Sequence, residues 1–249
     1  MTSIRKERAL LLLRQALDNP SADFRSGQWE AIEELLLNRS RLLVVQRTGW
    51  EKSLVYFLAT RLLRDQDAGC TLLIPPLLAL MRNQISAAQR IDVKAETINS
   101  NNTDNWKFVE TKLLANEVDI LLISPERLAN EEFQKNIVLP LSQQIGLFVV
   151  DEAHCISDWG YDFRPDYRRI VRILQALPQN IPVLTTTSNE LVNQAILFLR
   201  CSNQIIEPRK KWIKDSLLTY RFSGNIKDNL KAEEGRVLLL ALNSLGQSD

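Results

Sequence analysis

The stretch VVQRTGWEKSLVYF, Val44 to Phe57, reads as an apolar strand, a polar loop and the start of a helix. Such a junction turns successive backbone N–H groups toward one point, which suits an anion such as a nucleotide phosphate. Lys52 and Ser53 stand where a lysine reaches terminal phosphates and the hydroxyl after it holds Mg²⁺. Loops of the form small-x-x-Gly-x-Gly-Lys-Ser work because the last glycine lets the main chain approach with no side chain in the way. Here that position is Glu51.

Working outward, short apolar runs recur along the chain: RLLVVQ, TLLIPP, AETIN, DILLIS, LFVVDE and IPVLTTT. Each has strand length, and most are followed by a stretch of helical period, which predicts a mostly parallel sheet with helices on both faces. The fold class is therefore α/β. Ligands in such sheets gather at the carboxyl ends of the strands, and the polar residues Thr48 to Ser53, Ser124, Asp151 to His154 and Thr185 to Ser188 fall at those ends. The N-terminus predicts a short amphipathic helix. DFRSGQWEAIEELLLNRSR predicts a loop with Gly27 and then another helix. From about Glu207 the pattern changes. A first region, 1–207, is expected to form one lobe, and 208–249 a short tail with one strand and one helix near Arg236 to Leu245.

Composition sets the limits. A chain of 249 residues, 45% hydrophobic and 24% charged, can bury one sizeable core. Its formal net charge of +1 gives no global pull toward nucleic acid or membrane, so such binding must come from a local patch. Cys70, Cys155 and Cys201 are odd in number and lack metal-ligand spacing, which fits buried apolar residues in a reducing, cytoplasmic setting and predicts no zinc site. The N-terminal apolar run is too short for a secretion signal or a membrane span, so no membrane association is expected.

The chemistry is decided by LFVVDEAHCISDWGYDFRPDY. A strand ending in Asp151 and Glu152 sets one carboxylate to hold Mg²⁺ and the next to polarise an attacking water in phosphoryl transfer. Taken alone, two acids at a strand end are commonplace. With Lys52 following an earlier strand, they are expected to converge with Lys52 and Ser53 at the ends of adjacent parallel strands.

DEAHCISDWGYDFRPDY resembles the second motif and aromatic-rich loop of RecQ-family DNA helicases, close to Asp-Glu-Ala-His-Cys-Ile-Ser-x-Trp-Gly-His-Asp-Phe-Arg-Pro. FRSGQWEAI is similar to the family's nucleotide-reading motif, PPLLALMRNQI to its first DNA-contact motif and ISPERL to the next. The resemblance runs from Arg5 to about Ile206 and implies a RecA-like P-loop lobe, the first motor lobe of a DEAH-type, superfamily-two, ATP-dependent 3′ to 5′ DNA helicase. It implies ATP and Mg²⁺ as cofactors. Phe24, Arg25, Gln28, Thr48, Gly49, Trp50, Glu51, Lys52, Ser53, Asp151, Glu152 and His154 would bind the nucleotide. Lys52, Asp151 and Glu152 would be catalytic, and Ser53 and Asp151 would hold the metal. Gln28 has an amide suited to the N6 and N7 edge of adenine, and Arg25 a plane that can stack on it. Single-stranded or partly duplex DNA would be contacted by Pro76, Arg82, Gln84, Trp159, Tyr161, Phe163 and Arg164. Trp159, Phe163 and Tyr167 offer flat faces for unpaired bases, and Arg164, Arg168 and Arg169 offer charge for phosphates.

Departures from the family pattern count as much as matches. Tyr161 replaces a histidine, Pro75 a serine, and TTTSNEL the usual Thr-Ala-Thr segment. Glu51 is the most serious. A left-handed backbone there costs any residue but glycine roughly 1–2 kcal/mol. A carboxylate about 4 Å from a phosphate charge adds on the order of 4 kcal/mol at an effective dielectric of about 20. The family's second lobe, which supplies an arginine finger, does not fit within 249 residues, so a partner protein is one possible source of it. The competing reading is a non-catalytic DNA- or protein-binding remnant with a defective nucleotide site. An RNA-dependent relative is disfavoured by CISDWGYDFRP.

Overall fold

The computed structural model describes residues 2–46, 49–75, 82–98, 106–124, 144–153 and 180–187, with shorter pieces between 127 and 178 and at 208–210 and 238–242. Six strands, β1 Arg41–Val45, β2 Cys70–Ile74, β3 Ala95–Ile98, β4 Ile120–Ile123, β5 Ile145–Val150 and β6 Val183–Thr187, lie parallel in the order β3-β4-β2-β5-β6-β1. They coincide with the six apolar runs. β1, β2, β4, β5 and β6 are buried along their whole length, as strands covered on both faces must be.

Alternation along these strands divides the core in two. Leu43, Val45, Leu72, Ile74, Leu121, Ile123, Phe148 and Val150 point to one face, where Val109 and Leu113 of helix α5, Trp106–Leu114, meet them. Leu42, Val44, Leu73, Ile120, Leu122, Leu147, Val149 and Leu184 point to the other. That face is covered by α1 Thr2–Leu17, α2 Gln28–Leu37, α3 Lys52–Arg64 and α4 Arg82–Gln89. In α1 the buried residues are Ala9, Leu12, Leu13 and Ala16, a single helical stripe. Among the described residues no helix is long and apolar enough to cross a membrane.

The helix expected near Arg236 to Leu245 is a strand. β8, Leu238–Leu242, pairs antiparallel with β1, and β7, Pro208–Lys210, pairs antiparallel with β8. A short leucine-rich run suits a buried helix or a buried strand equally well by periodicity. The otherwise unpaired N–H and C=O groups along the outer edge of β1 decide the matter, and no local pattern in the run reveals that edge.

Two features fix the frame. Arg64, at the end of α3, donates to Asp119 Oδ1 (2.7 Å), Ala68 O (2.8 Å), Asn116 Oδ1 (2.7 Å) and Asn116 O (2.8 Å), while Asp119 Oδ2 accepts from the Lys94 N–H (2.8 Å). One guanidinium thus ties α3 to the start of β4 and the approach to β3. Beside it the β2–β5 pairing carries a bulge: Cys70 faces Ile145, Thr71 faces Leu147, and Gly146 is the extra residue. Gly69 packs on this bulge so closely that a Cβ on it would lie 1.5 Å from Gln144 O, and a Cβ on Gly146 would lie 2.4 Å from Gly69 O, both backbone atoms. Cys70 is buried next to this contact, and burial pushes its thiol up to about 11, so it is inert at neutral pH. Cys155 and Cys201 lie outside the described residues.

Gly69→Ala is expected to destabilise the fold by about 1–3 kcal/mol or more, as overpacking against fixed backbone does. Urea unfolding checks this: the midpoint should fall with little change of slope. A midpoint equal to that of the native chain would show that the two segments separate freely.

Candidate nucleotide site

The carboxyl ends of β1, β6 and β5 carry the polar residues. They are not adjacent in the way expected, because β6 lies between β1 and β5. Lys52 opens α3 after β1, and its ammonium crosses to Glu152 beyond β5, with Nζ 3.0 Å from Oε1. Lys52 Nζ also donates to Gln46 O at 3.2 Å, and the lysine side chain is only 9% exposed. Lys52, Ser53, Asp151 and Glu152 therefore converge around a strand that contributes its own side chain.

That side chain is Thr186 of β6, which is fully buried. Its hydroxyl donates to Asp151 Oδ1 and accepts the Glu152 N–H at 3.2 Å. The Glu152 N–H also reaches Asp151 Oδ1 at 3.1 Å, and Glu152 has a left-handed backbone, φ 48°. On the other side of the carboxylate, Tyr56 OH donates to Asp151 Oδ2 at 3.2 Å. Tyr56 is one helical turn beyond Lys52, so both side chains leave the same face of α3. Burial raises the Asp151 pKa, opposed by the Thr186 hydrogen bond. The Tyr56 phenol is raised well above its ordinary range by burial and by the neighbouring Asp151 charge, so it remains a neutral donor.

Glu51 has the backbone that glycine would supply, φ 63° and ψ 49°. Gly49 is left-handed too, at φ 85°, and a Cβ there would meet nothing within 4 Å. The Glu51 carboxylate does not grip Lys52. It turns to Arg25, with Oε1 3.3 Å from Nη2, and Arg25 Nη1 donates to Gly49 O at 2.7 Å. Gln28 is buried; its Nε2 donates to Trp50 O at 3.0 Å and its Oε1 accepts the Arg25 N–H at 2.9 Å. Each of those amide atoms keeps capacity for one more hydrogen bond. Trp50 is buried, and Phe24 packs against Trp29 with ring centroids 5.9 Å apart. The segment expected to read the base is thus tied directly to the phosphate loop.

Several expected residues cannot be placed. Thr48, Pro76, His154, Trp159, Tyr161, Phe163 and Arg164 lie outside the described residues, as do Tyr167, Arg168 and Arg169. Arg82 and Gln84 fall in the first turn of α4, with their side chains outside the described ones. Thr186 falls within the strand-end stretch Thr185 to Ser188 expected to border the site but was given no role there, and Tyr56 was not singled out by sequence. The signal for Tyr56 was its spacing from Lys52; for Thr186 it was a hydroxyl at the middle of the segment that is usually Thr-Ala-Thr.

The residues present fit Mg²⁺ and a triphosphate. Ser53 and Asp151 are hard oxygen donors of the kind Mg²⁺ takes, the space beside Gly49 is open, and Lys52 points among them. Glu51 is the discordant charge, half-neutralised by Arg25. Its pairing is half-exposed, so a double-mutant cycle of Arg25→Ala and Glu51→Gln should give a coupling of about 0.2–1 kcal/mol in folding stability. The coupling should vanish in high salt. A coupling well above that range would mean that the pair holds the loop together.

Residues 25–195 match the family described as DEAD/DEAH box helicase. The chain is 36% identical over 196 residues to the ATP-dependent DNA helicase RecQ of Haemophilus influenzae, covering 78% of this chain and 30% of that protein. It is 34% identical over 176 residues to the RecQ helicase of Bacillus subtilis, covering 70% and 29%. With the helicase SGS1 of Saccharomyces cerevisiae it shares 34% over 179 residues, 70% and 12%. The chain therefore spans less than a third of the length of these relatives. Among solved structures, a hypothetical ATP-dependent RNA helicase from Sulfolobus tokodaii superposes with a TM-score of 0.55 at 19% identity, covering 79% of this chain and 54% of that one. The UvsW helicase of bacteriophage T4 superposes with a TM-score of 0.51 at 19% identity, covering 73% and 58%. These likenesses bear on the fold, which is that of a RecA-like helicase lobe. The sequence match, its motifs in order and the lobe that carries them place the chain in the DEAD/DEAH box helicase family, in its RecQ branch, as the counterpart of the N-terminal motor lobe.

Proposed function

We propose that the chain binds ATP and Mg²⁺ at the ends of β1, β5 and β6, contacts single-stranded DNA through its aromatic loop, and does not unwind DNA without a second lobe. The observation that carries this reading is the 3.0 Å approach of Lys52 to Glu152 beside Asp151, from strands that only the fold brings together. Lys52 would hold the terminal phosphates, Ser53 and Asp151 the metal, and Glu152 the attacking water. Arg25 and Gln28 would face the adenine. When bound, the nucleotide supplies the phosphoanhydride bond whose cleavage drives movement on DNA in a complete motor.

Two observations favour the alternative, a DNA- or protein-binding module without turnover. Lys52 is already paired with Glu152, and Glu51 puts a carboxylate in the phosphate loop. Titration with Mg²⁺·ATP, followed by turnover with and without single-stranded DNA, separates the two readings. Glu51→Gly is expected to raise Mg²⁺·ATP affinity at least tenfold, about 1.4 kcal/mol, with turnover still poor in the absence of a second lobe. A native chain that binds ATP at micromolar concentration and gains nothing from glycine would overturn that account of Glu51.

DNA binding is expected to be weak and salt-sensitive, because each phosphate contact releases counterions. Trp159→Ala should weaken binding to single strands by about 1–3 kcal/mol, the contribution of one stacked base. Unchanged binding would make the aromatic loop structural.

A further inference from the structure

The two oxygens of Asp151 are each held by a buried hydroxyl from a different element. Thr186 reaches Oδ1 from β6, and Tyr56 reaches Oδ2 from α3. Both residues are fully buried. Burying a hydroxyl is unfavourable unless it is bonded, and here each spends its hydrogen on the same acid. Thr186 takes the Glu152 N–H as well, which ties the neighbouring carboxylate's backbone to the same point. A carboxylate bonded on both sides cannot rotate about its Cβ–Cγ bond without breaking one of these contacts.

We propose that Tyr56 and Thr186 are positioning residues that hold Asp151 in the orientation that takes Mg²⁺ with the nucleotide. The inference rests on the ATP-binding reading above. Neither residue touches the nucleotide. Both act through Asp151, as outer partners of metal ligands do, and their loss is expected to weaken metal-dependent binding while leaving metal-free binding alone.

The test uses the full chain carrying Glu51→Gly as parent, with a fluorescent ATP analogue titrated in Mg²⁺ and again in excess chelator. Tyr56→Phe and Thr186→Val should each lower the affinity in Mg²⁺ by about tenfold or more and leave the affinity in chelator unchanged. Thr186→Ser, which keeps the hydroxyl, should behave as the parent. Thermal melting reports whether each variant is folded, and if Thr186→Val is not, Tyr56→Phe decides alone. Folded variants that bind as the parent does in Mg²⁺ overturn the inference while leaving the ATP reading intact. Equal losses with and without Mg²⁺ overturn it too, because they mark a packing role. A parent that binds no nucleotide under either condition overturns the ATP reading, and the inference with it.

Discussion

Five parallel strands with no exposed residue leave polar chemistry to the ends of the sheet, and the candidate site takes the carboxyl ends. Everything at the site follows from that constraint and from the strand order. β1 and β5 are separated by β6, two strand spacings or roughly 10 Å. A short side chain cannot cross that gap. Lys52 can, and it lays its apolar stem over the end of the sheet to bring Nζ to Glu152. Thr186 fills the space beneath it from the intervening strand, which is why a threonine there can reach both Asp151 and the Glu152 backbone.

The charges at this end close on one another. Lys52 has Glu152 and the Gln46 carbonyl, Asp151 has Tyr56 and Thr186, and Glu51 has Arg25. In the ATP-binding reading proposed above, a phosphate would compete with Glu152 and the Gln46 carbonyl for the Lys52 ammonium, and would meet a loop whose added carboxylate is only partly screened. The pairs differ in strength. The Arg25–Glu51 contact is open to water and is worth little by itself, whereas Lys52 is nearly enclosed and its partner is harder to replace. In that reading, competition for Lys52 would govern access to the site more than the Arg25 contact would.

The sequence carried the six parallel strands because each is a short apolar run bounded by polar residues, and it carried the carboxyl-end site because the polar residues sit at those boundaries. The left-handed backbone at Glu51 entered the sequence reading as a condition, and the chain meets it at φ 63°. What the sequence did not carry depends on neighbours distant in the chain. The edge of β1 that turns Leu238–Leu242 into a strand is set by tertiary pairing. The hydroxyl of Thr186 matters only because β6 inserts between β1 and β5. Tyr56 reads as an ordinary core aromatic until Asp151 is placed against it. The Arg25–Glu51 contact required two loops, 26 positions apart, to meet.

Glu51 shows how a local rule can be broken without breaking the fold. A left-handed glutamate is disfavoured by roughly 1–2 kcal/mol, and it makes no side-chain capping bond at the start of α3. Such a conformation persists when its surroundings over-determine it. Here Trp50 is anchored in the core, Gln28 holds its carbonyl, Arg25 holds that of Gly49, and Lys52 is fixed at the far side by Glu152. The residues on either side of Glu51 are pinned before its own preference counts. Glu51 therefore keeps a left-handed backbone between pinned neighbours, and what the substitution changes there is charge before shape.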